Sequence, residues 1–267
     1  MKIAICLHGL SLGRNTLRDI TRSNPDIDWK CFTKTISNNL INLNKADVFI
    51  HTWNHQEVEE LKSFYNPKGL LVEPQKEFNP FFSNEILNQD KEDFALYMKN
   101  DHSPLIYTHP RVFSHMYSFD RADSLRQAYE TLYGFRYDYV IKTRFDLQIL
   151  KPLDVTKYDN TKMQFGRWWG AQPKALEDLF IIGNSTHMTK LSSLYHKMYE
   201  YLINEEYNYL IRSMGLGAFH FASAHELLYY HVKREGLLGL IQESFDREVD
   251  FSLDRSNFDF MKTGIDV

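Results

Sequence analysis

Arg144 and Asp146 close the segment Tyr137-Asp138-Tyr139-Val140-Ile141-Lys142-Thr143-Arg144-Phe145-Asp146-Leu147, one residue apart. β-Branched and aromatic residues dominate Tyr137 to Thr143, which predicts a buried strand. In an open α/β sheet, ligands collect just beyond the carboxyl ends of strands. A carboxylate at that place is positioned to hold a hard divalent cation, which in turn holds phosphate oxygens. The competing reading is an ion pair with Arg144 or a cap on the next turn. A second acidic pair, Glu177-Asp178, precedes the apolar run Leu179-Phe180-Ile181-Ile182. A carboxylate within reach of a reacting hydroxyl can take its proton; the alternative is a carboxylate that caps or pairs at a strand start.

The elements that would position these groups read as an α/β chain. Lys2–Leu7 is a continuous apolar strand that runs into His8-Gly9-Leu10-Ser11-Leu12-Gly13-Arg14. A glycine-containing loop after a strand lets backbone approach a nucleotide closely. The loop is neither a dinucleotide fingerprint nor a phosphate loop, because Arg14-Asn15 follows Gly13. Ala46–His51 is a further strand ending in Thr52-Trp53-Asn54; Asp28–Thr33 and Gly69–Glu73 are expected to be strands too. Helices are predicted over 56–65 and 111–132, the latter with Pro110 in its first turn and Gly134 at its end. Lys162–Gly166 reads as a strand. Ser185 is placed to N-cap a helix through Leu202, and the last third reads as helical. Residues 75–109 carry no clear pattern.

Composition narrows the classes. The chain has 267 residues, 43% of them hydrophobic, enough for one large core. A formal net charge of -4 supplies no basic field for nucleic acid or anionic lipid. Two cysteines, Cys6 and Cys31, make neither a disulfide framework nor a zinc site. No apolar run reaches the length of a membrane span and no signal peptide is visible, so a cytoplasmic location is expected.

The strand YDYVIKTRFDL resembles the metal-binding strand end of GT-A glycosyltransferases, with Arg144 in place of the first acid of their D-x-D motif. It is most similar to small bacterial and viral enzymes that build capsules or glycans. The likeness continues in order along the chain, through DVFIHTW (47–53), SHMYSFDRA (114–122), EDLFIIGN (177–184) and HELLYY (225–230). It implies one GT-A-like domain with a mostly parallel central sheet flanked by helices. About 1–150 would serve the nucleotide sugar and about 151–267 the acceptor.

The same resemblance implies transfer of a sugar from a nucleotide-diphosphate sugar, a UDP-sugar first among them, to a glycan or other hydroxyl acceptor. Mn²⁺ or Mg²⁺ would sit on Asp146. His8, Gly9, Arg14, His51, Arg121 and Arg144 would border the donor, with a core histidine bonded to a backbone carbonyl as the competing reading of His51; Asp178 would be the base of an inverting reaction with Glu177 in reserve, and Glu226 would touch the acceptor. A late histidine, His220 or His231, is a further metal candidate, although His225 and His231 lack the spacing that puts two ligands on one helix face. Trp168 and Trp169 offer flat faces that suit the C–H surface of a sugar, with core packing as the competing account. Two rivals remain: a nucleotidyltransferase acting on sugar phosphates, and a non-catalytic glycan-binding protein on a transferase fold.

Overall fold

The structure is a computed structural model that describes residues 1–13, 27–76, 78, 109–168, 173–214 and 223–252. Seven strands form its central sheet: β1 (Ile3–Gly9), β4 (Asp47–Thr52), β5 (Gly69–Val72), β6 (Tyr139–Arg144), β8 (Met163–Gly166), β9 (Ile181–Gly183) and β10 (Ile241–Phe245). They lie in the order β10-β8-β9-β6-β1-β4-β5. β1 pairs in parallel with both β4 and β6, β4 with β5, and β8 with β10; β9 alone runs against its neighbours β6 and β8. Two short antiparallel pairs lie outside the sheet, β2 (Leu12–Gly13) with β3 (Ile27–Asp28) and β7 (Gln148–Ile149) with β11 (Phe251–Ser252).

The apolar runs that predict strands are continuous because both faces of the sheet are covered. Ile3, Ile5, Leu7, Val48, Ile50 and Ile141 pack against α1 (Trp29–Ile36) and α2 (Val58–Tyr65). Ala4, Cys6, Phe49 and Val140 pack on the other side, against α3 (His109–Tyr133) and the C-terminal helices. Those are α4 (Ser185–Ser192), α5 (Leu194–Leu202), α6 (Glu205–Ser213) and α7 (Ala224–Arg234). The architecture is the expected α/β one, a mostly parallel sheet between helical layers.

Three local expectations are corrected. Asp28–Thr33 is not a strand: beyond Asp28 it is the first turns of α1. Trp29, Thr33, Ile36 and Leu40 are buried at helical spacing, and this overrides the weak alternation in the sequence. The cap of α4 is Asn184, whose side chain accepts the His187 N–H at 2.9 Å, while Ser185 is the first helical residue. The helix expected to run through Leu202 is divided at Ser193 into α4 and α5.

α3 carries polar groups on its buried side as well as apolar ones. Arg126, fully buried, donates from Nε and Nη2 to the two oxygens of Asp123 (2.7 and 3.0 Å) and from Nη1 to Ser185 Oγ (2.7 Å). Nη1 also lies 2.7 Å from Glu130, whose other oxygen accepts the Tyr137 N–H at 2.8 Å. This network ties α3 to α4 and to the residues that enter β6. It thereby fixes the height at which the earlier turns of α3 present His115 and Ser118 to the sheet edge.

Candidate active site

Because β9 is reversed, the residues leading into it lie at the same edge as the carboxyl ends of β1, β4, β6 and β8. Glu177 and Asp178 therefore come to the edge where His8, Trp53, Arg144, Asp146 and Trp168 emerge. The Leu176 N–H bonds the His225 carbonyl (3.2 Å), which brings the first turn of α7 to the same place. Strand alternation puts His8, His51 and Arg144 on the α3 side of the sheet, in adjacent register across β4, β1 and β6.

Asp178 is the centre of the cluster. One oxygen is 3.2 Å from His115 Nε2 and the other 3.5 Å from His225 Nδ1. Lys142, buried in β6, donates Nζ–H to the Asp178 carbonyl, and His115 Nε2 stands 3.2 Å from the same ammonium. In any one tautomer that nitrogen either donates to the carboxylate or accepts from the lysine. Burial alone would raise the Asp178 pKa, but His225, His115 and Lys142 outweigh it and hold the carboxyl well below its usual range. Burial, with Lys142 adding to it, lowers His115 to about 4. Lys142 is brought down to about 8, chiefly by burial, with Asp178 opposing.

His225 is the more accessible partner. Its Nδ1 lies 2.9 Å from the Leu176 carbonyl, an acceptor only, so Nδ1 carries a proton and, in the neutral ring, Nε2 carries the lone pair. The ring packs 4.5 Å from that of Trp168, and the side chain is 28% exposed against 9% for Asp178.

Glu177 points elsewhere. It is buried, one oxygen accepts the Leu179 N–H at 2.6 Å, and its Cγ lies 3.1 Å from where a Cβ on Gly166 would stand. Burial and the Asp178 charge raise its pKa from 4.5 to about 7. A carboxyl raised in the folded state contributes most stability below its unfolded pKa and loses it as pH rises through the folded value. The melting temperature should therefore fall between pH 4.5 and about 7 on account of this group. Glu177→Gln, which keeps an acceptor for Leu179, is expected to flatten that limb and melt higher than wild type above pH 7. Parallel curves for the two proteins would contradict the assignment.

The donor-side candidates divide. His8 is fully buried in the sheet's polar row, 4.9 Å from the His115 ring, and neither ring nitrogen has a partner among the described residues. Burial first, then the nearby Lys142, His115 and Arg144, hold its pKa well below 6.5, so it is a neutral imidazole. Gly9 has φ of +109°, a conformation that L side chains rarely adopt, and its N–H donates to Ser118 Oγ at 2.8 Å. His51 spends both ring nitrogens internally, on Ser118 Oγ (2.7 Å) and Glu73 (3.1 Å). Arg121 faces Glu73 as well (3.9 Å) and the Tyr117 ring, on the β5 side of the edge.

Glu226, on the first turn of α7, is buried, and its charge acts on the buried Tyr207. His231 is an internal histidine, bonded to Tyr201 and to the Lys190 carbonyl. Arg14, Trp169 and His220 lie outside the described residues. Lys142 and His115 were not singled out in the sequence, and His225 was weighed only with His231 as a metal pair; the one signal for this cluster is a lysine inside an otherwise apolar strand, which must find partners when buried.

The expected divalent cation fits this donor set poorly. A hard cation takes six or more oxygens. Both oxygens of Asp146 are already engaged by Arg144, through Nε at 2.8 Å and Nη2 at 2.5 Å. Among the described residues no group of three or more His, Cys, Asp or Glu side chains could hold a metal.

Fold and site together define an α/β protein with an acid–base cluster and an arginine–carboxylate fork at the ligand edge of its sheet. No protein-family model and no curated protein matches the sequence. Among solved structures the chain is similar to mouse xyloside xylosyltransferase 1 in its apo form. The identity is 9% and the TM-score 0.38, over 91% of this chain and 85% of that one. Among the described residues no helix is long and apolar enough to cross a membrane.

Proposed function

We propose that this chain is a glycosyltransferase that moves a sugar from a nucleotide-diphosphate sugar to a hydroxyl of a glycan or other acceptor. The observation that carries the reading is the convergence of Asp178, His115, Lys142 and His225 beside Arg144 and His8 at one sheet edge. Residues of about 1–150 would hold the donor and those of about 151–267 the acceptor, with Trp168 beside the acceptor sugar. The reading rests on the sequence resemblance and on this chemistry.

In an inverting transfer the acceptor O–H gives up its proton as its oxygen bonds to the anomeric carbon. The bond from that carbon to the diphosphate breaks, and its electron pair leaves on a phosphate oxygen. Asp178 was expected to take the proton. Its depressed pKa makes it a weak base, and the open Nε2 of His225 is the better acceptor. Asp178 then stabilises the imidazolium that forms. Lys142, held against the Asp178 carbonyl, fixes the loop that carries the carboxylate.

Thermal-shift titration with a panel of UDP-, GDP- and CMP-sugars, alongside nucleoside triphosphates paired with sugar phosphates, tests the reading. Stabilisation by a nucleotide sugar supports it. Stabilisation by triphosphates alone would favour a nucleotidyltransferase, and a response to free glycans alone a binding protein.

A further inference from the structure

We propose that the Arg144–Asp146 fork, with His8 beside it, binds the donor diphosphate directly, as a side-chain cation site that replaces a divalent metal. The proposal rests on the glycosyltransferase reading and concerns how that site meets its anionic substrate.

Charge balance gives the first argument. Two acids holding a dication sum to zero, and so do Arg144 and Asp146 as a pair. Putting arginine at the first acidic position therefore leaves the net charge of the edge where a metal would have set it. The second argument is geometric. A guanidinium has five N–H donors, of which Nε–H and one on Nη2 go to Asp146. Nη1 has no hydrogen bond among the described residues, and the side chain is 17% exposed. Three donors in a fixed plane remain for phosphate oxygens, the pattern for which arginine is suited. Asp146 is then a positioning residue: its two bonds lock the guanidinium plane.

His8 supplies the independent observation. A fully buried imidazole with no partner at either nitrogen is costly, and His8 lies in register with Arg144 on the same face of the sheet. A neutral imidazole has one N–H to donate, and a phosphate oxygen arriving at Arg144 would satisfy it. Gly9 follows with its left-handed backbone, and no Cβ projects from it there.

Calorimetric titration of the full chain with UDP and with inorganic pyrophosphate tests the site, each in EDTA and each again with excess Mg²⁺. At least one probe is expected to bind in EDTA with an affinity that Mg²⁺ leaves nearly unchanged. Arg144→Met should weaken that binding by about tenfold or more, the scale of charge-assisted hydrogen bonds. Asp146→Asn, which keeps the arginine and loosens only its lock, should cost less. Binding that appears only with Mg²⁺, or that Asp146→Asn damages more than Arg144→Met, would overturn the cation site while leaving the transferase reading intact. Binding of neither probe under either condition would overturn both. The wild-type comparison needs no variant to fold, and circular dichroism checks the two substitutions.

Discussion

Asp178→Asn is expected to cut kcat by about 10²–10⁴-fold, the usual cost of disabling general base catalysis, with donor affinity close to wild type. His225→Ala should lose a similar factor. The two losses should not multiply, because both residues serve one proton transfer. Circular dichroism and donor affinity, both expected to stay near wild type, separate a lost proton transfer from lost structure. Near wild-type kcat in both variants would remove the pair from the chemistry and return attention to Glu177 or to a group on the substrate.

The second large effect is on stability. Arg126→Met is expected to destabilise the protein by about 3–5 kcal/mol, the cost of breaking a buried ion network by removing one member. The loss is not one of packing, since Met fills much of the same space. It comes from leaving the buried Asp123 without its cation and the buried Glu130 with only the exposed Arg136, 3.0 Å away. Adding Asp123→Leu and Glu130→Leu to Arg126→Met should recover only part of the loss, because no buried charge is then stranded but the Tyr137 N–H loses its acceptor. Urea unfolding at pH 7 measures both. A single-variant loss under about 1 kcal/mol, within the range of exposed ion pairs, would show that the network contributes little.

Much of the frame was legible in the sequence, because burial on both faces makes parallel strands read as unbroken apolar runs. β1, β4 and β6 and the long α3 follow from that rule and from helical spacing. β10 was missed for the complementary reason. It is an edge strand, and its Gln242 and Glu243 are exposed, so Ile241–Phe245 has no apolar run to announce it. α1 was misread because Ile27, Trp29 and Cys31 alternate over a span too short to separate period two from period 3.6.

At the site, the expected acids were legible by their places at the ends of apolar runs. Their partners were not. His115 comes from the middle of the chain and His225 from near its end. Only the reversal of β9 and the docking of α7 on Leu176 bring them to one carboxylate. His51 is internal, as the competing reading has it, but its partners are a serine and a glutamate from distant segments, not a backbone carbonyl, and no local pattern announces them.

³¹P NMR of a nucleotide sugar incubated with the protein and a mixture of glycan acceptors tests the central claim most directly. Wild-type protein should convert the donor's signals into those of a free nucleoside diphosphate, faster with acceptor than without, and Asp178→Asn should leave the donor unchanged over the same time. An unchanged donor with wild-type protein across the nucleotide-sugar panel, or release of pyrophosphate from a triphosphate instead, would contradict the account.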